Sequence, residues 1–424
     1  MARKICVEKM PTAVTANYHP IHNWFNFVAG YAPEYVEMVI DNFIKVNKKK
    51  PILVYDPFAG CGTTCVVANK MGVNSIGIDR NPFFYRIGYT KVHAKETLKY
   101  LKDVRDEFVI AIDKEIDLNL VDILEDSAQK YLCKLYDTES LNRLLYLRNL
   151  VNKYNDYKYY MGFTFLSKMM EYVTTAKTDG IYKVPTSIKK SINVEKAIEK
   201  TFLKFNESSA LQINDYGKMI YGSSIDYCLD ENTCDLIIFS PPYLNNFDFA
   251  EMTRMQLYFW EDATSWSEIS EKHRNHMLVN TTTALKLVKS KEQQQYLRST
   301  LPEILLKKID PIVEKLAEIR RANSKKKPYN LIIYPYLAQI QEVLKKCYRG
   351  LRNNGEIHIV VSDAAFYGIH IDTQDYLYGI MRDIGFKQVC SIKMRDRGDR
   401  WILEKRKFSG KQLGEYEVVG KKVE

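Results

Sequence analysis

At 424 residues the chain is long enough for one large α/β domain with insertions, or for two domains of ordinary size. With 46% hydrophobic and 27% charged residues, 13 prolines and no compositional tract, it excludes a disordered or fibrous protein. The net charge of +10 suits a polyanionic partner without identifying one. The eight cysteines contain no Cys-x-x-Cys pair, so reduced thiols and no metal site are expected. Met1-Ala2-Arg3-Lys4 is followed by no apolar signal segment, and no run of 18 apolar residues occurs. The expectation is a cytoplasmic protein without membrane contact.

In chain order, Ile52-Leu53-Val54-Tyr55 predicts a short buried strand ending in Asp56-Pro57. A glycine-bearing turn and a helix from Thr63 to Lys70 follow, with Gly72 as C-terminal cap. Ser75 to Asp79 predicts a second strand, so residues 1–92 open with a βαβ unit. Residues 93–215 read as a mostly helical insertion of divided charge: 93–140 carry 7 basic and 12 acidic side chains, 141–210 carry 12 and 6. Only the second half suits nucleic acid by this measure. It holds a Gly and Pro loop, Lys177 to Pro185, followed by Lys189-Lys190, which makes Lys183, Lys189 and Lys190 candidate phosphate contacts.

Residues 216–263 resume the sheet pattern, with Asp235 to Phe239 predicted as a buried parallel strand. Residues 264–328 form a second helical insertion, with 14 basic against 7 acidic residues, ending in Arg320-Arg321 and Lys325-Lys326-Lys327-Pro328. In residues 329–424, Leu351 to Gly355 predicts a turn into a strand over 356–361, then Ser362-Asp363 and a helix to Gly385-Phe386. Lys393 to Trp401 predicts a basic turn between two terminal strands. His273 and His276 lack a third ligand and make no metal site.

Two strings carry chemistry. In Asp56-Pro57-Phe58-Ala59-Gly60-Cys61-Gly62-Thr63-Thr64 a strand ends in a carboxylate, and a tight Gly-x-Gly turn leads into a hydroxyl-capped helix. The glycines let main chain approach a ligand, and the helix start offers N–H groups to a carboxylate. Nineteen residues beyond Gly60, Asp79 ends the second strand, where an acidic side chain accepts from ribose hydroxyls. No Gly-x-x-x-x-Gly-Lys loop is present, and the dinucleotide pattern fails at Cys65. Downstream, Ser240-Pro241-Pro242-Tyr243 follows the strand ending at Phe239, at the sheet edge where α/β folds bind ligands. Prolines donate no hydrogen bond and leave fixed carbonyls as acceptors, which suits an amino group.

These strings resemble the amino-methyltransferases of DNA, whose cofactor loop reads Asp-Pro-Phe-x-Gly-x-Gly-Thr-Thr. The resemblance implies an α/β, Rossmann-like class I S-adenosylmethionine-dependent methyltransferase sheet with mostly helical insertions, and S-adenosylmethionine as cofactor. It assigns Asp56, Phe58, Gly60, Gly62 and Thr63 to the methionine end and Asp79 to the ribose. Tyr18 to Phe25, with His22, looks like the family's N-terminal cofactor motif, and Tyr221 to Asp226 like its adenine-flanking segment. Ser223 there stands where many relatives carry Asp. Ser240, Pro241, Pro242 and Tyr243 correspond to the catalytic tetrapeptide, which acts on a base flipped out of double-stranded DNA. The segment from Leu244 to Arg254, including Asp248 and Glu251, continues the resemblance.

The motif order resembles members whose target recognition region lies inside the catalytic fold. That implies residues 93–215, chiefly 141–215, with 264–328 second, and a cognate restriction endonuclease as partner. Methylation of the fifth carbon of cytosine uses a Pro-Cys nucleophile, and no Pro-Cys occurs. The expected target is the N4 amino group of cytosine, because relatives acting on adenine N6 mostly carry Asp or Asn in place of Ser240. Adenine N6, an RNA amino group, and a catalytically dead DNA-binding member are the alternatives.

Overall fold

The computed structural model describes residues 13–27, 30–113, 119–245, 248–281, 283, 284, 288, 290–323, 327–397 and 412–423. Its centre is a seven-stranded sheet. In chain order the strands are β1 (Leu53–Asp56), β2 (Asn74–Asp79), β5 (Gly217–Tyr221), β6 (Cys234–Phe239), β7 (Leu351–Ser362), β10 (Lys387–Arg397) and β11 (Leu413–Lys421). Two hairpins lie outside it: β3 (Ala176–Asp179) with β4 (Tyr182–Ile188), and β8 (Ala364–Phe366) with β9 (Ile369–Ile371). The spatial order is β10-β11-β7-β6-β1-β2-β5. Neighbours from β7 to β5 run parallel, whereas β11 is antiparallel to both β7 and β10.

This strand order, parallel but for β11, is that of a Rossmann-like sheet, as the sequence resemblance implies. From β1 the chain winds outward through β2 to β5, then returns to β6 on the other side of β1 and winds outward again. The reversal opens a crevice beyond the carboxyl ends of β1 and β6, the usual ligand position in such sheets. All six residues of β6 are buried, as a near-continuous apolar run requires of a central strand.

The helix Thr63–Lys70 forms where expected, starting from Gly62 at φ 82°. The first insertion packs its helices Leu101–Ile112, Thr138–Val151, Asp156–Val173 and Val194–Asn206 into a core continuous with the N-terminal segment. Among the described residues no helix is long and apolar enough to cross a membrane.

The structure corrects four local expectations. The loop expected over Lys177 to Pro185 is the β3–β4 hairpin, turning at Gly180, where φ is 61° and nothing crowds the α-carbon. The turn expected at Leu351 to Gly355 is absorbed into β7 as an irregularity, with Asn354 at φ 66°. Lys393 to Arg397 lie within β10 rather than in a turn, because they pair with Leu413 to Tyr416 of β11. Strand β5, Gly-Lys-Met-Ile-Tyr, was not expected at all: an edge strand buried on one side gives too short an alternation to read. Residues 398–401 of the basic segment, Lys325 and Lys326, and Asn246 and Phe247 lie outside the described residues.

Candidate functional site

A cavity of about 360 Å³ opens at the switch point. The loop after β1 brings Phe58 and Gly60 to it, the end of β2 brings Asp79, the turn after β5 brings Ser223, and the segment after β6 brings Ser240, Pro241, Pro242 and Tyr243. Strings about 160 residues apart in the chain therefore share one space.

The loop end is shaped by main chain. Gly60 sits at φ 53°, and a β-carbon there would fall 2.8 Å from the Phe27 ring, so only glycine fits. One carboxylate oxygen of Asp79 accepts from Gly60 N at 2.9 Å and the other from Asn81 N at 2.8 Å, tying loop to strand end. Burial pushes the Asp79 carboxyl up to about 7, opposed by those two N–H groups. Asp56 is 1% exposed and does not line the cavity. Its carboxylate accepts from Tyr31 Oη at 2.9 Å, Thr64 Oγ1 at 2.5 Å and Phe58 N at 2.9 Å, so it braces the loop from behind. Burial raises its carboxyl to about 6. Gly62 and Thr63 likewise stand behind the cavity wall.

His22 is also absent from the wall. Its ring is buried, which drives its pKa well below the ordinary value, with Lys91 adding to the effect. The Lys91 ammonium donates to the carbonyls of His22 and Phe25, both at 2.9 Å. Trp24 stacks on Phe205 at 5.0 Å and donates to Ser208 Oγ at 3.1 Å. The aromatic N-terminal motif is thus a packed anchor, and the cavity wall begins two residues beyond it, at Phe27, beside Phe84 and Phe249.

The tetrapeptide end is shaped by side chains. Ser240 Oγ donates to Tyr243 Oη across a long contact of 3.4 Å, and Tyr243 Oη donates to Glu415 Oε1 at 2.9 Å. Arg395 Nε holds the other oxygen of Glu415 at 2.5 Å, and the Arg397 guanidinium lies 5.0 Å from the centre of the Tyr243 ring. Burial, then the Glu415 charge, raises the Tyr243 phenol well above its ordinary range. The Pro242 carbonyl accepts from Tyr336 Oη at 2.8 Å. Asp248, in the segment after the tetrapeptide, is 6% exposed, caps the helix Phe249–Met252 and pairs with Arg274 Nε at 2.7 Å. Its own N–H donates to Tyr182 Oη at 3.0 Å.

The three candidate lysines are not equivalent. Lys183 pairs with Glu171 at 2.5 Å and its side chain is 8% exposed. Lys189 donates to the Glu171 carbonyl at 2.7 Å, and Lys190 is exposed. A groove beside the hairpin is lined by Lys130, Lys134, Tyr182, Lys183, Glu251 and Arg254, among others. The charge division at residue 140 is therefore not a spatial one, since Lys130 and Lys134 from the acidic half face the same groove as Lys183 from the basic half.

Sequence reasoning missed Glu415, Arg395, Asn81 and the aromatic wall. Glu415 carried no signal, because an isolated acid near a chain's end reads as surface. Among the described residues one group has ligand spacing, Asp363, His370 and Asp372, with atoms within 4.8 Å of one another. The 3.2 Å ion pair between His370 and Asp363 accounts for its closest contact.

Comparison with known proteins bears on this geometry. Residues 19–90, which hold the loop and Asp79, match the family described as DNA methylase, of the N6 and N4 class. The Type II methyltransferase M.BsoBI of Geobacillus stearothermophilus is 23% identical over 93% of this chain and 83% of its own length. The family model and this homologue support a DNA amino-methyltransferase family for this chain. The Type II methyltransferase M.AvaI of Nostoc sp. is likewise 23% identical, over 87% of this chain and 79% of its own. M.MjaII of Methanocaldococcus jannaschii, a third Type II methyltransferase, is 31% identical over a shorter stretch, 31% of this chain and 24% of its own. A DNA amino-methyltransferase of this kind requires a methyl donor and a DNA substrate.

Proposed function

We propose that this DNA amino-methyltransferase takes S-adenosylmethionine as donor and methylates the N4 amino nitrogen of cytosine at a specific site in double-stranded DNA, as one half of a restriction-modification pair. The observation that carries the reading is the single cavity shared by Phe58, Gly60 and Asp79 with Ser240 to Tyr243. The residues present fit the cofactor. The Asp79 carboxylate has four acceptor positions, of which Gly60 N and Asn81 N use two, leaving two toward the cavity for ribose hydroxyls. Phe58 and Ser223 flank the space a nucleoside requires, while Asp56, Gly62, Thr63 and His22 serve it by holding the loop and the N-terminal motif in place.

When bound, the cofactor supplies a methyl group on a sulfonium, and this chain's residues present the nucleophile. A base amino group is a poor nucleophile because its lone pair is delocalised into the ring. Accepting its two protons at Ser240 Oγ and a proline carbonyl orients the lone pair. The Pro242 carbonyl already engages one of its two lone pairs with Tyr336, which favours Pro241 as that acceptor. Tyr243 offers a flat face to the flipped base. Ser240 favours cytosine, because a short hydroxyl holds the amino group nearer the main chain than a carboxylate does.

Residues 93–215 are the proposed target recognition region, with 264–328 second, fastened to the catalytic segments 1–92, 216–263 and 329–424. The groove lined by Lys130, Lys134 and Lys183 supports the first choice. Expression in a methylation-free host, followed by nucleoside mass spectrometry and modification-sensitive sequencing of the plasmid, tests the reading. N4-methylcytidine at one recurring site is expected. N6-methyladenosine alone would overturn the choice of base, and no modified base would overturn the function.

A further inference from the structure

A serine hydroxyl can donate or accept, and recognition of an amino group requires it to accept. At the tetrapeptide end the direction is set from behind. Glu415, ion-paired through its other oxygen with Arg395, accepts from Tyr243 Oη at 2.9 Å, so the proton of that hydroxyl is committed to it. With its own proton given away, Tyr243 Oη has only lone pairs to offer Ser240, and Ser240 donates to it at 3.4 Å. The lone pairs of Ser240 Oγ are then left for the cavity that Ser240, Tyr243 and Glu415 all line. Arg395, on the far oxygen of Glu415 at 2.5 Å, holds the carboxylate in this orientation.

We propose that Glu415 is a specificity-determining positioning residue: through Tyr243 it fixes Ser240 as an acceptor, so the pocket takes a base with an amino group and rejects the same base with a carbonyl in its place. This rests on the reading of Ser240 to Tyr243 as the base site. Cytosine offers N–H donors where uracil offers a carbonyl oxygen, and adenine and hypoxanthine differ in the same way, so the device applies to either candidate target. A carbonyl facing an acceptor-only Ser240 leaves two lone pairs opposed and a desolvated group unpaired.

Glu415→Gln keeps the shape but gives Tyr243 a partner that also donates, which frees the relay to reverse. The measurement is competition binding, in the presence of a non-reactive cofactor analogue, between duplexes carrying the methylated base found in the plasmid experiment and duplexes carrying its deaminated counterpart at that position. Wild type is expected to prefer the amino base by about tenfold or more, the weight of one directed hydrogen bond. Glu415→Gln should lose most of that preference by binding the deaminated duplex better, with cofactor affinity unchanged. Tyr243→Phe, which cuts the relay while keeping the ring, should lose it equally, and Glu415→Asp should restore part of it.

Equal discrimination in wild type, Glu415→Gln and Tyr243→Phe would overturn the proposal. If Glu415→Gln does not fold, Tyr243→Phe alone decides it. Ser240→Ala separates the two claims. If that variant still methylates at the wild-type rate, the base site itself is wrong; if it fails while Glu415→Gln discriminates as wild type does, only the relay is wrong.

Discussion

The two ends of the cavity are built in opposite ways. At the loop end the ligand-facing groups come from one continuous stretch and the strand beside it. Gly60, at φ 53° and pressed on Phe27, makes the shape, and Asp79 is held by the backbone of Gly60 and Asn81. At the tetrapeptide end a short rigid string is completed by side chains from remote strands: Glu415 of β11, Arg395 and Arg397 of β10, and Tyr336 of the helix Ile333–Gly350. A site made of main chain must be written contiguously, whereas one made of side chains can be collected from anywhere the sheet order allows.

The comparison predicts that damage at one end spares the other. Ser240→Ala should lower the single-turnover methyl transfer rate by about a hundredfold or more, since oriented acceptors act on the reacting group itself. Calorimetric cofactor affinity should be nearly unchanged. A matching loss of cofactor affinity would show that the two ends are one unit.

Asp79→Ala should do the reverse, weakening S-adenosylmethionine binding by roughly 1.5–3 kcal/mol per lost charge-assisted bond. The carboxyl stands near 7, so the wild-type affinity should rise as pH climbs through that value and the better acceptor forms. An affinity independent of pH from 5.5 to 8.5, with Asp79→Ala binding normally, removes Asp79 from the ribose role.

A third variant probes the sheet beneath both ends. His358 is buried between Glu356 and Glu417, and those carboxylates outweigh burial to raise it to about 9. A raised folded value means that its stabilisation is complete below its unfolded value near 6.5 and is lost as pH rises through 9. Denaturant unfolding should show wild type losing on the order of 3 kcal/mol across that window. His358→Gln should be less stable at pH 6 and lack this slope; an identical slope in the variant would assign it to other groups.

The smallest effect concerns the lysines. Each released phosphate contact changes the logarithmic salt slope by about 0.9. With Lys183 bound to Glu171 and Lys189 to a carbonyl, neutralising Lys183, Lys189 and Lys190 together should reduce the slope by roughly one contact rather than three. No change at all would move the recognition region toward residues 264–328.

Legibility followed the same division. The loop, the helix Thr63–Lys70, the strands around Asp79 and Phe239, and Ser240 to Tyr243 were readable because each depends on neighbours in sequence. Whether His22 lines the cavity was not legible, because an aromatic, His-bearing string looks alike whether it faces a site or anchors a terminus, and its burial beside Lys91 is a tertiary fact. The hairpin at Gly180 and the ladder that turns Lys393 to Arg397 into a strand depend on pairing partners that no local pattern announces. Glu415 lies 172 residues beyond Tyr243, and nothing short of the sheet order brings them together.

Asp248 bears on how such enzymes can change their DNA targets. Just after the tetrapeptide, its N–H donates to Tyr182 of the first insertion, and its carboxylate is ion-paired with Arg274 of the second. A recognition segment grafted in from a relative without a hydroxyl at 182 would strand a nearly buried N–H, at a cost of about 1–3 kcal/mol. One without a cation at 274 would leave a buried charge alone, at about 3–5 kcal/mol. The insertions are therefore not interchangeable cassettes, and a working chimera has to carry both fastenings along with its new specificity.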